Sequence, residues 1–127
     1  MTQPVQLLLA HGSRDPEWRR PFETMAEALQ RAHPERRVCL CYLELWTPSL
    51  AEAITMAYAE GQRRFRITPL FWSRGRHLRE DLPEIVDGVL RELPGCEIVI
   101  DLPVGESEIV QAAVLRLMSC LSCTALS

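Results

Sequence analysis

The sequence predicts an α/β fold of three layers, a four-stranded parallel sheet with helices on both faces. Three observations lead there. Four short apolar runs alternate with four stretches of helical apolar spacing, the pattern of parallel strands joined by crossover helices. No linker, low-complexity tract or internal repeat interrupts the 127 residues. That length suits one domain, 1–127 with its core over about 5–121, large enough to bury an interior without staples.

The elements follow in order. VQLLLA, residues 5–10, reads as a buried strand. Asp15 then offers an N-cap and Pro16 the first helical position, and Phe22, Met25, Ala26 and Leu29 line one face of a helix ending near His33. RVCLCYLEL, residues 37–45, is the second strand. Pro48 and Ser49 start a helix with Leu50, Ile54, Ala57 and Tyr58 on one face and Gly61 as its stop. RFRITPLF, residues 64–71, is the third strand, and Ile85, Val86, Val89, Leu90 and Leu93 mark a third helix closed by Pro94-Gly95. CEIVIDL, residues 96–102, is the fourth strand, followed by a helix carrying Ile109, Val110, Ala113, Val114, Leu117 and Leu121.

Bulk properties exclude several classes. The net charge of −3 argues against general nucleic-acid binding, which shows as a basic domain. No apolar run approaches the roughly 18–20 residues needed to span a membrane, and MTQPVQLLLAHGS lacks the basic leader of a signal peptide. A cytoplasmic location without membrane attachment is the expectation. Five cysteines with no secreted context do not suggest a disulfide framework. Cys39 and Cys41 read as small core residues, and Cys120 and Cys123 as two thiols at a frayed helix end; a metal there would need further ligands.

In open parallel sheets, ligands bind outside the carboxyl ends of the strands. His11 follows the first strand, Glu44 closes the second, and the loop after the third carries His77, so three segments bring two imidazoles and a carboxylate to one edge. Asp101 follows the fourth. Taken singly, each has an ordinary explanation: a histidine in a structural hydrogen bond, a glutamate in a solvated loop. His33, before Pro34 at a helix end, is expected to interact with the last carbonyls. Together, His11, Glu44 and His77 suit a divalent transition ion held with open positions. Without thiolates the hold is moderate, as befits an ion that must be released.

LFWSRGRHLREDLP, residues 70–83, sets His77 among Arg74, Arg76 and Arg79. Neighbouring cations disfavour imidazolium, and a neutral imidazole is what a metal needs. Guanidinium groups recognise carboxylates in bidentate fashion, so these arginines with Arg14 form either a solvated rim or a dock for a polyanion. RGR around Gly75 reads as an exposed turn, and Trp72 either stacks on a ligand or fills core space.

LLLAHGSRDP, YLELWTPSL and PLFWSRGRHLREDLP resemble, in order and spacing, the small CbiX-type sirohydrochlorin chelatases of the class II chelatase family. The resemblance covers residues 5 to about 105 and implies a chelatase-like fold and insertion of Co²⁺, Fe²⁺ or Ni²⁺ into sirohydrochlorin, a tetrapyrrole with eight carboxylates. It puts the metal-handling histidines at His11 and His77 and the acidic residue at Glu44, which are also the expected catalytic residues. Ser13, Arg14, Trp72, Arg74, Arg76 and Arg79 are the corresponding candidates for substrate binding. The divalent ion is a substrate, no nucleotide is involved, and single-domain members imply a homodimer. The family's turn before the second histidine is small and glycine-rich, whereas this chain has WSRGR. Two other readings compete: a metal- or tetrapyrrole-binding module without turnover, and a histidine phosphatase-like hydrolase, against which Ala10 stands where that class has an arginine.

Overall fold

The computed structural model describes residues 3–121, apart from the side chain at position 77. The chain runs β1 (Val5–Ala10), a 3-10 turn (Pro16–Arg19), α1 (Arg20–Ala32), β2 (Val38–Tyr42), α2 (Leu50–Ala59), β3 (Arg64–Pro69), α3 (Gly75–Glu92), β4 (Glu97–Ile100), a second 3-10 turn (Val104–Glu106) and α4 (Glu108–Ser119). All strand pairs are parallel, in the order β2-β1-β3-β4. The chain passes outward from β1 to β2, then crosses back over β1 to β3 and on to β4, and the crevice at that reversal is where such sheets bind ligands.

Register decides which face holds the core. Val5, Leu7 and Leu9 stand opposite Phe65, Ile67 and Pro69, and all point to the same side of the sheet. There they meet Leu50, Ala53, Ile54 and Ala57 of α2 and Leu78, Leu82, Val86 and Val89 of α3. This is the main interior, and no polar or charged residue is buried among the described ones. On the opposite face, Leu8, Ala10 and Tyr42 are buried on the side where α1 lies against β2. Gln30 pins that helix, accepting from the Val38 N–H at 3.0 Å and donating to the Arg36 carbonyl at 2.6 Å.

Several expectations need correction. β2 ends at Tyr42 and β3 at Pro69, because the chain turns at each carboxyl end to build the site. The RGR segment is no loose turn. α3 begins at Gly75, so His77 lies in its first turn, and the helix continues through Pro83. Proline lacks one helical donor, but Leu78, Leu82, Val86 and Val89 form a continuous buried stripe that holds the segment helical. His33 caps α1 through its backbone N–H to Leu29, while its imidazole lies 3.6 Å from Glu35. Cys120 is disulfide-bonded, not a free thiol, and Cys123 lies outside the described residues. Cys39, Cys41 and Cys96 are free, as core-type cysteines would be. Among the described residues no helix is long and apolar enough to cross a membrane.

Candidate functional site

β1 hands the chain straight into the site. The Leu43 N–H donates to the Ala10 carbonyl at 2.9 Å and the Glu44 N–H to the His11 carbonyl at 3.1 Å, so the β1–β2 pairing extends past the strand ends. Gly12 has φ of +101°, and a Cβ there would overlap the Glu44 carbonyl oxygen. Only glycine lets the two segments approach this closely. Leu45 takes a positive φ of 66° as the chain reverses, and the Trp46 N–H closes the turn onto the Glu44 carbonyl at 2.8 Å.

The consequence is one close pair. His11 Nε2 lies 3.1 Å from Glu44 Oε1, with both side chains more than half exposed. Ligand bonds of about 2.0–2.1 Å at angles of about 90–110° place adjacent donor atoms roughly 2.8–3.4 Å apart. The separation is that of a direct imidazole–carboxylate contact and is also compatible with two neighbouring ligands of a single ion. The Phe71 ring backs the imidazole edge-on at 5.9 Å between centroids. Behind Glu44, Trp46 packs edge-on against Tyr42 at 5.0 Å, and the Arg19 guanidinium lies 4.5 Å above the Trp46 ring. Burial pushes the Tyr42 phenol above its ordinary pKa, with Arg19 pulling the other way.

His11, Leu43, Glu44, Asp81 and Ile85 line a cleft of about 170 Å³. Asp81 was missed by sequence reasoning, although its place four residues after His77 on one helix puts both positions on the same face. Its wall position follows from α3 starting at Gly75, which the Ile85-centred apolar pattern did not indicate. The third expected ligand, the His77 side chain, lies outside what the structure describes. Among the described residues, no group of three His, Cys, Asp or Glu side chains is assembled for a metal.

The other candidates divide. Arg74 Nε lies 3.7 Å from Glu106 and Arg76 Nε lies 3.6 Å from Glu80, so each of these two cations has a carboxylate beside it. The helix beginning at Gly75 explains the second pair, which is an i,i+4 contact. Arg74 and Arg79 line a groove of about 230 Å³ with Leu78, Leu82 and Leu102. Trp72 does not fill core space; the residue is 62 % exposed. Arg14 is exposed on the loop after His11, where Ser13 Oγ accepts from the Asp15 N–H at 3.1 Å. Asp101 accepts from Arg66 Nε at 2.9 Å and from Thr68 Oγ1 at 3.2 Å, and it also lines the groove that carries Arg74 and Arg79.

The CbiX family model matches residues 5–119. A sirohydrochlorin cobaltochelatase of Saccharolobus islandicus is 32 % identical over 108 residues, covering 80 % of this chain and 83 % of the relative. The chloroplastic sirohydrochlorin ferrochelatase of Arabidopsis thaliana is 28 % identical over 121 residues, 91 % of this chain but 52 % of the relative. Among solved structures, a putative cobalamin biosynthesis CbiX protein from Marinobacter aquaeolei superposes with a TM-score of 0.81 at 32 % identity, covering 92 % of this chain and 93 % of that one. The sirohydrochlorin chelatase SirB of Bacillus subtilis, in complex with cobalt, shares the fold at a TM-score of 0.79 and 24 % identity, with 94 % of this chain matching 51 % of that one.

Proposed function

The chain belongs to the CbiX family, and from that membership we propose that it is a sirohydrochlorin chelatase, inserting Co²⁺, Fe²⁺ or Ni²⁺ into sirohydrochlorin or a related carboxylate-rich tetrapyrrole. The observation that carries the reading is the His11–Glu44 pair, set 3.1 Å apart at the carboxyl edge of the sheet beside an open cleft. In this reading His11 and Glu44 receive the ion, and His77, in the first turn of α3 at the same edge, is the third ligand. Two imidazoles and one carboxylate leave positions for water, which the pyrrole nitrogens replace.

The macrocycle brings carboxylates to Arg14, Arg74, Arg76 and Arg79, with the Ser13 hydroxyl beside them and the exposed Trp72 ring as a stacking surface. Exchangeable ion pairs suit this role, because Arg74 and Arg76 trade an internal carboxylate for one from the substrate. Insertion forms metal–nitrogen bonds as the two pyrrole N–H protons leave; no electron is transferred. Glu44 or a site histidine, freed as the ion passes to the macrocycle, accepts the two protons in turn and delivers both to solvent. In this reading, as the resemblance to single-domain members of the family implies, the functional unit is a homodimer; the chain spans about half the length of the plant relative, at 52 %.

The absorbance of sirohydrochlorin with Co²⁺ and sub-stoichiometric protein tests the proposal. The wild-type chain should drive the spectral change past one equivalent, faster than metal alone. His11→Ala should slow insertion by at least about 100-fold, and Arg76→Ala should raise KM while leaving kcat nearly unchanged. A wild-type protein that binds Co²⁺ and stops at one equivalent would be a carrier, and the chelatase reading would fail.

A further inference from the structure

Glu44 stands past the end of β2, in an irregular stretch where Leu45 takes a positive φ, and its side chain is 58 % exposed. A carboxylate on such a turn samples several rotamers and backbone positions. Holding a ligand group within about 0.5 Å of its working place therefore needs support from residues outside its own segment.

That support comes from the loop that begins at His11, which meets the Glu44 turn at both of its ends. At the near end, Gly12 lies against the Glu44 carbonyl. At the far end, the 3-10 turn Pro16–Arg19 closes with the Arg19 guanidinium over two rings, 4.5 Å from the Trp46 centroid and 6.0 Å from that of Tyr42. Asp15 caps this end: its side chain accepts from the Glu17 N–H at 3.0 Å and its carbonyl from the Trp18 N–H at 3.1 Å. Trp46 in turn stands edge-on to Tyr42, the buried last residue of β2, and its N–H closes on the Glu44 carbonyl at 2.8 Å.

For packing alone, arginine is a poor residue at position 19. Its Nε is buried with no hydrogen-bond partner among the described residues, a cost that a leucine or methionine on the same rings would avoid. What the guanidinium adds is a cation–π contact, which offsets part of that cost and constrains the Trp46 ring where a flexible apolar side chain would leave it freer. The ring is joined through one short turn to Glu44.

We propose that Arg19 is a positioning residue for the metal site, clamping Trp46 so that Glu44 is held beside His11. Its action on the ion is indirect, through the Trp46 ring and the Glu44 backbone. This role presupposes the His11–Glu44 pair as part of an ion site, the reading proposed above. The sign of its effect separates it from plain electrostatics. A nearby cation repels a metal ion, so charge alone predicts that removing Arg19 tightens Co²⁺ binding. Positioning predicts weaker binding, because a Glu44 that has left His11 must be ordered again when the ion arrives.

Calorimetry of Co²⁺ binding to the full chain, without sirohydrochlorin, tests it. Arg19→Met should bind Co²⁺ about 10-fold more weakly than wild type, and Arg19→Lys, which keeps a cation over the ring, should recover most of that loss. A double-mutant cycle with Glu44→Ala then asks whether the effect runs through Glu44. It is read with Cu²⁺, which imidazoles bind more tightly, so that the variant background stays measurable. With Glu44 gone, Arg19→Met should change the affinity less than about 2-fold. An equal loss in both backgrounds overturns the proposal, as does unchanged or tighter Co²⁺ binding by Arg19→Met. If far-UV circular dichroism shows Arg19→Met unfolded, Trp46→Leu replaces it in the cycle, with the same outcomes deciding. A wild-type chain that binds neither ion overturns the proposal together with the ion site. A failed insertion assay beside intact Co²⁺ binding overturns the chelatase reading alone and leaves the Arg19 result standing.

Discussion

At the scale of single residues, Gly12 has a role as strict as that of the histidine before it. Its positive φ and its contact with the Glu44 backbone leave no room for a side chain. Gly12→Ala should cost at least about 2 kcal/mol of stability and should separate Glu44 from His11, weakening Co²⁺ binding by calorimetry. Asp81 is the second case. It stands on the wall of the cleft one helical turn after His77, where a carboxylate orients or charges what lies between it and the His11–Glu44 pair. Asp81→Asn should lower Co²⁺ affinity about 10-fold without changing the unfolding midpoint by more than a few degrees, since the residue is exposed. Trp72 shows how a residue's type misleads at this scale. An aromatic beside a strand fits core and surface alike; here the Trp72 backbone packs closely on Gly105 and the residue is exposed.

Elements show where local chemistry suffices. α2 starts at a capping box that Ser49 and Glu52 write into the sequence: Ser49 Oγ accepts from the Glu52 N–H at 3.1 Å, and Glu52 accepts in return from the Ser49 N–H at 2.9 Å. Ser49→Ala should cost about 1 kcal/mol. The backbone hydrogen bond from Ser49 lowers the Glu52 pKa below its ordinary 4.5. A lowered carboxylate pKa contributes stability above the unfolded value, which is lost as the pH falls through the folded one. The melting-temperature gap between wild type and Glu52→Gln should therefore be open at pH 7 and close below about pH 4.5. α3 is the opposite case. Arg-rich residues and Pro83 conceal its first two turns, and they are helical because Leu78 and Leu82 are buried against the sheet. α4 was legible as a helix from its apolar spacing, but that spacing did not reveal that its faces stay open in one chain.

For the whole molecule, stability resides in the sheet and the helices α2 and α3. Phe65, Leu7 and Ile67 are fully buried at the centre of that layer, and Ile67→Ala should lower the unfolding free energy by about 2–5 kcal/mol in urea titration. Burial also pushes the Cys41 thiol far above its ordinary pKa, so a disulfide reagent should reach it only on unfolding, which gives that titration an independent probe.

The alternation of strands and helices, the main core face and the candidate site's edge were all readable from residue order. Each depends on local periodicity and on the rule that parallel sheets present ligands at their carboxyl ends. His11 and Glu44 could be placed on one rim because each stands just past a strand whose apolar run is unmistakable. The pairing of those two side chains at 3.1 Å came from elsewhere. It depends on the extended β1–β2 register and a glycine contact across more than 30 residues of chain, a distance that no periodicity encodes. The turning of Asp101 toward Arg66, the compensation of Arg74 by Glu106 and the bare flank of α4 are of the same kind. Sequence determined which elements form, because that choice is made within a turn or two of chain; tertiary structure decided which side chains meet, because that choice is made between segments packed together in space.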